Sequence, residues 1–208
     1  DYSKILAKSG DVKTMTNGQD QDLILDIVGK VATITLNRPH RRNALTFEMY
    51  EEIRQICMRA GKSGDLKDIK ALIFMGGGDK AFAAGTDISR FKDFTSTQDA
   101  IDYETRVDSV MEEIETCAVP TIAALNGFVT GGGAAIAGAC TVRIGAEDIK
   151  VGVPIARTLG NCLAISNLRR FIALVGEPRV TYMLVTANLI DAAEAHSAGF
   201  ISELLPDR

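Results

Sequence analysis

The sequence predicts an α/β fold, and three observations carry that expectation. Short β-branched or apolar runs alternate along the chain with longer segments whose apolar residues recur at helical spacing. Apolar residues make up 46% and charged residues 24% of the 208 positions, a globular balance with ample material for a core. No linker, internal repeat or low-complexity tract interrupts the chain, so one core domain is expected.

The elements follow in order. Residues 1 to about 21 are polar and aperiodic and read as a loose arm or an expression remnant, with domain boundaries at 1–22 and 23–208. The first residue is Asp1 rather than Met, so a non-native start is expected. Neither a basic n-region nor an apolar h-region opens the sequence, so no secretory signal is expected. Val31–Leu36 is β-branched and reads as a strand, stopped by Asn37-Arg38-Pro39. Thr46 can cap a helix running to about 60, with Met49, Ile53, Ile56 and Ala60 on one face. Residues 71–75 form a continuous apolar run ended by Gly76-Gly77-Gly78, the pattern of a strand buried on both sides.

From 99 to 116 the set Tyr103, Val107, Val110, Met111 and Ile114 marks an amphipathic helix. Pro120 opens the buried run Thr121–Leu125, which feeds a turn over 126–130, then Gly131-Gly132-Gly133 and a small-residue helix over 134–139. Short strands are expected over 141–145 and 149–152, and helices over 164–175, 180–186 and 192–198. In such a fold, ligands are expected at loops beyond the carboxyl ends of strands.

Composition excludes several function classes. A net charge of −4 argues against nucleic acid, which selects basic faces. No apolar run reaches membrane-spanning length. Cys57, Cys117, Cys140 and Cys162 are widely spaced, which suits buried free thiols in a reducing cytosol better than a disulfide framework or a zinc site.

Two glycine segments carry the chemistry. Gly131-Gly132-Gly133 runs into a helix, so free N–H groups and the positive helix end face whatever lies in front of them. A developing negative oxygen is the natural guest. The second segment, Ala81-Phe82-Ala83-Ala84-Gly85-Thr86-Asp87-Ile88, follows the buried strand, and its small residues let a ligand lie against the main chain. Either segment alone also reads as a tight turn. Neither matches a nucleotide fingerprint: GxxxxGK[ST] is absent, and GxGxxG from Gly131 fails at Ile136.

Several motifs occur together. They are Leu36-Asn37-Arg38-Pro39 with Arg42-Asn43-Ala44-Leu45, the segment from Lys80 to Ile88, the segment from Val119 to Gly127 continuing through Gly131-Gly132-Gly133, and Ala192-Ala193-Glu194-Ala195 with Ala198-Gly199. With these motifs the chain resembles the enoyl-CoA hydratase/isomerase (crotonase) superfamily from about residue 24 to 206. The resemblance implies a spiral of ββα units, trimers or trimer pairs, and an acyl-CoA thioester whose carbonyl oxygen is held by two main-chain N–H groups; the cytoplasmic setting is expected from the cysteines alone. Carried over by position, those donors are Thr86 and Gly132. Ala84, Thr86, Asp87, Ile88 and Ser89 then line the CoA tail with Arg41, Arg42 and Ala44, and Arg41, Arg42 and Lys80 become candidates for its phosphates. Coenzyme A enters as part of the substrate, with no separate cofactor and no metal.

The chain departs from its relatives at the acids. Hydratases of this family use two glutamates to activate and deliver water; the matching positions here are Ala135 and Ile155, which cannot exchange protons. Candidate replacements each have a bland alternative. Asp87 is a base or a structural acid; Arg157 binds an acyl carboxylate or a surface partner; Cys162, near Asn161, is a nucleophile or a buried thiol. His40 and His196 read as exposed. Tyr103 and Glu104 fall on a helix able to close over an acyl pocket.

Three functions remain: an acyl-CoA enzyme polarising the thioester, with hydration, isomerisation, decarboxylation or hydrolysis open; a non-catalytic acyl-CoA binder or assembly protein; and an unrelated α/β binding module, which leaves both glycine segments unexplained. Relatives continue past 206 with a helical segment that covers the acyl pocket and builds the trimer. The 208-residue form alone is therefore expected to bind substrate poorly, as calorimetry would register.

Overall fold

The computed structural model describes residues 21–158, 160 and 163–206. The expected arm lies almost wholly outside that range, as do Asn161 and Cys162. Ten strands are described: β1 (Leu23–Val28), β2 (Val31–Leu36), β3 (Ala71–Gly76), β4 (Ala81–Ala84), β5 (Thr121–Leu125), β6 (Phe128–Thr130), β7 (Val142–Ala146), β8 (Lys150–Gly152), β9 (Ile190–Asp191) and β10 (Glu203–Leu205). The helices are α1 (Phe47–Arg59), α2 (Thr97–Glu115), α3 (Gly132–Ala139), α4 (Ile155–Thr158), α5 (Ile165–Val175), α6 (Glu177–Thr186) and α7 (Ala192–Ser197).

The strands form two sheets, of order β1-β2-β3-β5-β7-β10 and β4-β6-β8-β9. From β3 to β8, successive strands go alternately to the large and the small sheet, then a helix follows: β3-β4-α2, β5-β6-α3, β7-β8-α4. This is the ββα spiral of the crotonase fold. β1 and β2 make an antiparallel hairpin, and every other pairing in the large sheet is parallel. In the small sheet β4, β6 and β8 are parallel, which brings the loops after β4 and β6 side by side.

Local signals explain the helices. Thr46 accepts a hydrogen bond from the Met49 N–H, so the expected cap starts α1. Ser96 and Asp99 cap α2 reciprocally, so that helix begins earlier than the apolar pattern alone indicates. A cap of this kind contributes about 1 kcal/mol. Tyr50, Ile53 and Cys57 of α1 join Val107, Val110 and Ile114 of α2 in one buried cluster.

The structure corrects several expectations. β3 is not buried on both sides: Leu72 and Phe74 have no exposure while Ala71, Ile73 and Met75 are half-buried, so one face is covered fully and the other in part. Residues 81–84 and 128–130 are strands rather than turns; they are too short and too small-residued to show a period. β1, β9, β10 and α4 carry too weak a pattern to have been expected. α3 starts at Gly132 rather than Ala134, and α6 starts at Glu177, with Pro178 in its first turn, rather than at Val180. Among the described residues no helix is long and apolar enough to cross a membrane.

Candidate active site

The two glycine segments meet. β4 and β6 pair up to Ala84 and Thr130, so the residues that follow, Gly85-Thr86 and Gly131-Gly132, leave the small sheet together. A Cβ on Gly131 would stand 3.2 Å from the Gly85 Cα. Gly131 also has φ +53, a conformation that glycine adopts freely. Gly133 is pressed against β4, where a Cβ would overlap the Ala83 carbonyl oxygen and lie 2.7 Å from the Ala83 Cβ.

Peptide planarity gives the direction of two N–H groups. The Gly85 carbonyl accepts from Leu45 N–H at 2.9 Å, and the chain has no cis peptide among the described residues. The N–H on the same peptide, that of Thr86, therefore points the opposite way. Likewise the Gly131 carbonyl accepts from Ala135 N–H at 3.0 Å, so the Gly132 N–H projects out of the α3 N-terminus. No group among the described residues accepts from either N–H. Two main-chain donors thus lie free on abutting segments.

The loop over 38–45 holds the first segment in place. Leu45 N–H and carbonyl bond to Gly85 and Asp87, and Ala84 N–H donates to the Arg42 carbonyl at 2.9 Å. Arg38 clamps both sides: Nη1 donates to the Ala44 carbonyl at 2.6 Å and Nη2 to Asp87 Oδ2 at 2.9 Å. Asn43, fully buried, donates to the carbonyls of Gly77 and Ala81 and accepts from Arg38 N–H. Asp87 caps the short turn after it through Ser89 N–H. The hydrogen bonds to Ser89 and then Arg38 lower the Asp87 carboxyl to about 2, which leaves it little basicity. Its contacts are those of a structural acid.

Hydroxyl groups surround Thr86. Its Oγ1 lies 2.9 Å from the Tyr50 hydroxyl and accepts from the Tyr103 hydroxyl at 3.0 Å. A Cβ on Gly132 would run into the Tyr50 hydroxyl and lie 3.1 Å from Thr86 Oγ1. Tyr103 is set by an aromatic group: Phe91 meets it edge-on at 4.9 Å between centroids, and Phe47 packs at 5.4 Å. Burial raises both phenols above the ordinary value. Desolvation, then the neighbouring Asp108 carboxylate, raises Glu104; Asp108 in turn accepts from Ser166 Oγ at 2.6 Å.

Other candidates stand apart. Ala135 is buried in the core and Ile155 is partly buried against that core, so both positions are apolar in surroundings as well as in identity. Arg41, Arg42 and Lys80 are exposed, with the Arg42 guanidinium 5.2 Å from the Phe128 ring centroid. Ile88 is 48% exposed, and Ser89 is exposed beside it. His40, His196 and Arg157 are exposed. Cys57 and Cys140 are buried free thiols, whereas Cys117 is only half-buried. The sequence reading missed Tyr50, Arg38 and Asn43. Tyr50 had a signal: it shares a helical stripe with Ile53 and Cys57, and a buried phenol requires a polar partner.

Similarity to known proteins agrees with this geometry. A sequence model described as enoyl-CoA hydratase/isomerase matches residues 26–208. A short-chain-enoyl-CoA hydratase from Clostridium acetobutylicum is 33% identical over 184 residues, covering 88% of this chain and 69% of the relative. A crotonyl-CoA hydratase from Syntrophomonas wolfei is 34% identical, covering 90% of this chain and 72% of its own. Among solved structures, an enoyl-CoA hydratase/carnithine racemase from Magnetospirillum magneticum superposes with a TM-score of 0.83 at 29% identity, covering 90% of this chain and 69% of that one. The ββα spiral, the two abutting glycine segments and the extent of these matches lead to one assignment: this chain belongs to the enoyl-CoA hydratase/isomerase family.

Proposed function

We propose that the protein acts on an acyl-CoA thioester by taking its carbonyl oxygen between the Thr86 and Gly132 N–H groups, so that negative charge developing on that oxygen is stabilised as an enolate forms. The single observation supporting this is the pair of unpartnered N–H groups on abutting segments. Donors of this kind are worth a few kcal/mol each to the transition state (roughly 2.7–4). Ala84, Asp87, Ile88 and Ser89, with the loop carrying Arg41, Arg42 and Ala44, would line the CoA tail.

The reaction proceeds without the paired glutamates, because Ala135 and Ile155 offer no proton. Decarboxylation of a malonyl-type CoA fits best. The bond from the α-carbon to the carboxylate breaks, CO2 leaves, and the electron pair moves into the thioester as an enolate. Solvent then protonates the α-carbon. No dedicated base is needed.

Turnover on crotonyl-CoA, a 3-enoyl-CoA, a malonyl-type CoA and a saturated acyl-CoA tests the reading. CO2 release from the malonyl-type ester alone is the expected result; rapid hydration of crotonyl-CoA overturns it. A second reading, a non-catalytic acyl-CoA binder, is favoured by the apolar surroundings of both positions, Ala135 buried and Ile155 partly so. Tight ester binding with no turnover on all four compounds would select it.

A further inference from the structure

The hydroxyl group of Thr86 has a proton to spare. A threonine hydroxyl carries one proton and two lone pairs. Tyr103 donates to one lone pair at 3.0 Å. The Tyr50 hydroxyl lies 2.9 Å away, and distance alone allows either group to donate. Burial decides the direction. Tyr50 is 1% exposed, and no other acceptor among the described residues reaches its hydroxyl. Were Thr86 to donate, the phenolic proton would be buried with nothing to receive it, an arrangement proteins avoid. Tyr50 therefore donates too, and both lone pairs of Thr86 Oγ1 are filled.

The remaining proton has no acceptor within the described protein. It sits on a half-exposed residue whose own N–H is already free, 3.1 Å from the point where a Cβ of Gly132 would stand. We infer that the Thr86 hydroxyl is a third hydrogen-bond donor to the thioester oxygen of the ligand, an inference that rests on the acyl-CoA reading above. Tyr50 and Tyr103 are positioning residues: by occupying the lone pairs they turn the hydroxyl outward. Burial keeps both phenols protonated, and the Phe91 and Phe47 rings hold Tyr103 on its acceptor. Three neutral donors favour an oxygen gaining charge, which a pair of carboxylates beside it would oppose.

Calorimetry on the full-length protein with two ligands tests this: crotonyl-CoA, which has the thioester oxygen, and S-butyl-CoA, a thioether that lacks it. Thr86→Val is expected to weaken crotonyl-CoA about 3- to 10-fold, the worth of one net hydrogen bond, and to leave S-butyl-CoA unchanged. Thr86→Ser should restore the difference. The thioester carbonyl stretch of bound crotonyl-CoA should shift toward its free-solution frequency in Thr86→Val and stay red-shifted in Tyr50→Phe. Equal weakening of both ligands, no change in either, or a larger red shift in Tyr50→Phe (which means that Thr86 had been donating to Tyr50) overturns the proposal while leaving the acyl-CoA reading standing. Failure of the unsubstituted protein to bind either CoA compound overturns both.

Discussion

The two ends of α3 are built in opposite ways. At its N-terminus the first N–H, that of Gly132, has no acceptor among the described residues, and the glycine leaves room beside it for the Tyr50 and Thr86 hydroxyls. At its C-terminus the Ile136 and Ala137 carbonyls accept from the Cys140 N–H. The buried Arg143 guanidinium donates to the Ala137 and Cys140 carbonyls and to that of Phe200, and lies 5.8 Å from the Phe200 ring centroid. Desolvation lowers the Arg143 pKa, yet the negative end of the helix dipole and the oxygens it bonds compensate for burying the charge. One end is closed by a cation from the large sheet; the other is left for something outside the chain. Backbone groups bonded within the chain serve the fold, and the free ones are those on which the proposed site rests.

Substitutions can separate the two ends. Gly133→Ala should have the largest effect, because the new methyl meets the Ala83 carbonyl and Cβ rather than a movable side-chain tip. We expect a stability loss of about 3 kcal/mol in urea unfolding, together with loss of CoA-ester binding as α3 is pushed off β4. Arg143→Met follows: it leaves buried carbonyls unpaired and should cost about 2 kcal/mol without altering ester affinity under conditions where the variant is folded. Loss of affinity there would show that the ends are not independent.

Acid pH probes the support of the open end. The Asp87 carboxyl is lowered from its ordinary 3.8 to about 2, so its stabilisation is complete above the ordinary value and disappears as pH falls from about 4 through 2. With Asp87 about a quarter exposed, screening reduces the gain, and Asp87→Asn should cost about 1 kcal/mol at pH 7 and distinctly less at pH 2. Equal destabilisation at both pH values would mean that the ion pair with Arg38 contributes nothing. Smallest, Tyr103→Phe should cost about 0.5 kcal/mol in thermal unfolding, since Thr86 keeps its bond to Tyr50.

The open end was legible in sequence because glycine has few uses: three in a row before a small-residue helix announce a close approach. The closed end was not. Arg143 sits at an inward position of β7, between half-buried neighbours, and nothing in a single strand says which carbonyls a buried guanidinium will meet. Tyr50 poses the same difficulty, since its partner lies 36 residues away. The loop over 38–45 carries no sequence signal of its hold on Ala84, Gly85 and Asp87, which appears only once Arg38 finds Asp87 across 49 residues. Short strands such as β4 and β6 escaped because three or four small residues cannot display alternation.

The parting of Gly85 oxygen from Thr86 hydrogen across one flat amide bears on how such a protein changes over generations. Every amino acid except proline brings the same N–H to a given place in the chain, so exchange of codons at position 86 cannot readily delete it, whereas at position 132 only glycine avoids the Tyr50 hydroxyl. If the two N–H groups polarise a thioester as proposed, side chains around them can change while the donors remain. A lineage can thereby lose one chemistry and try another on an inherited scaffold.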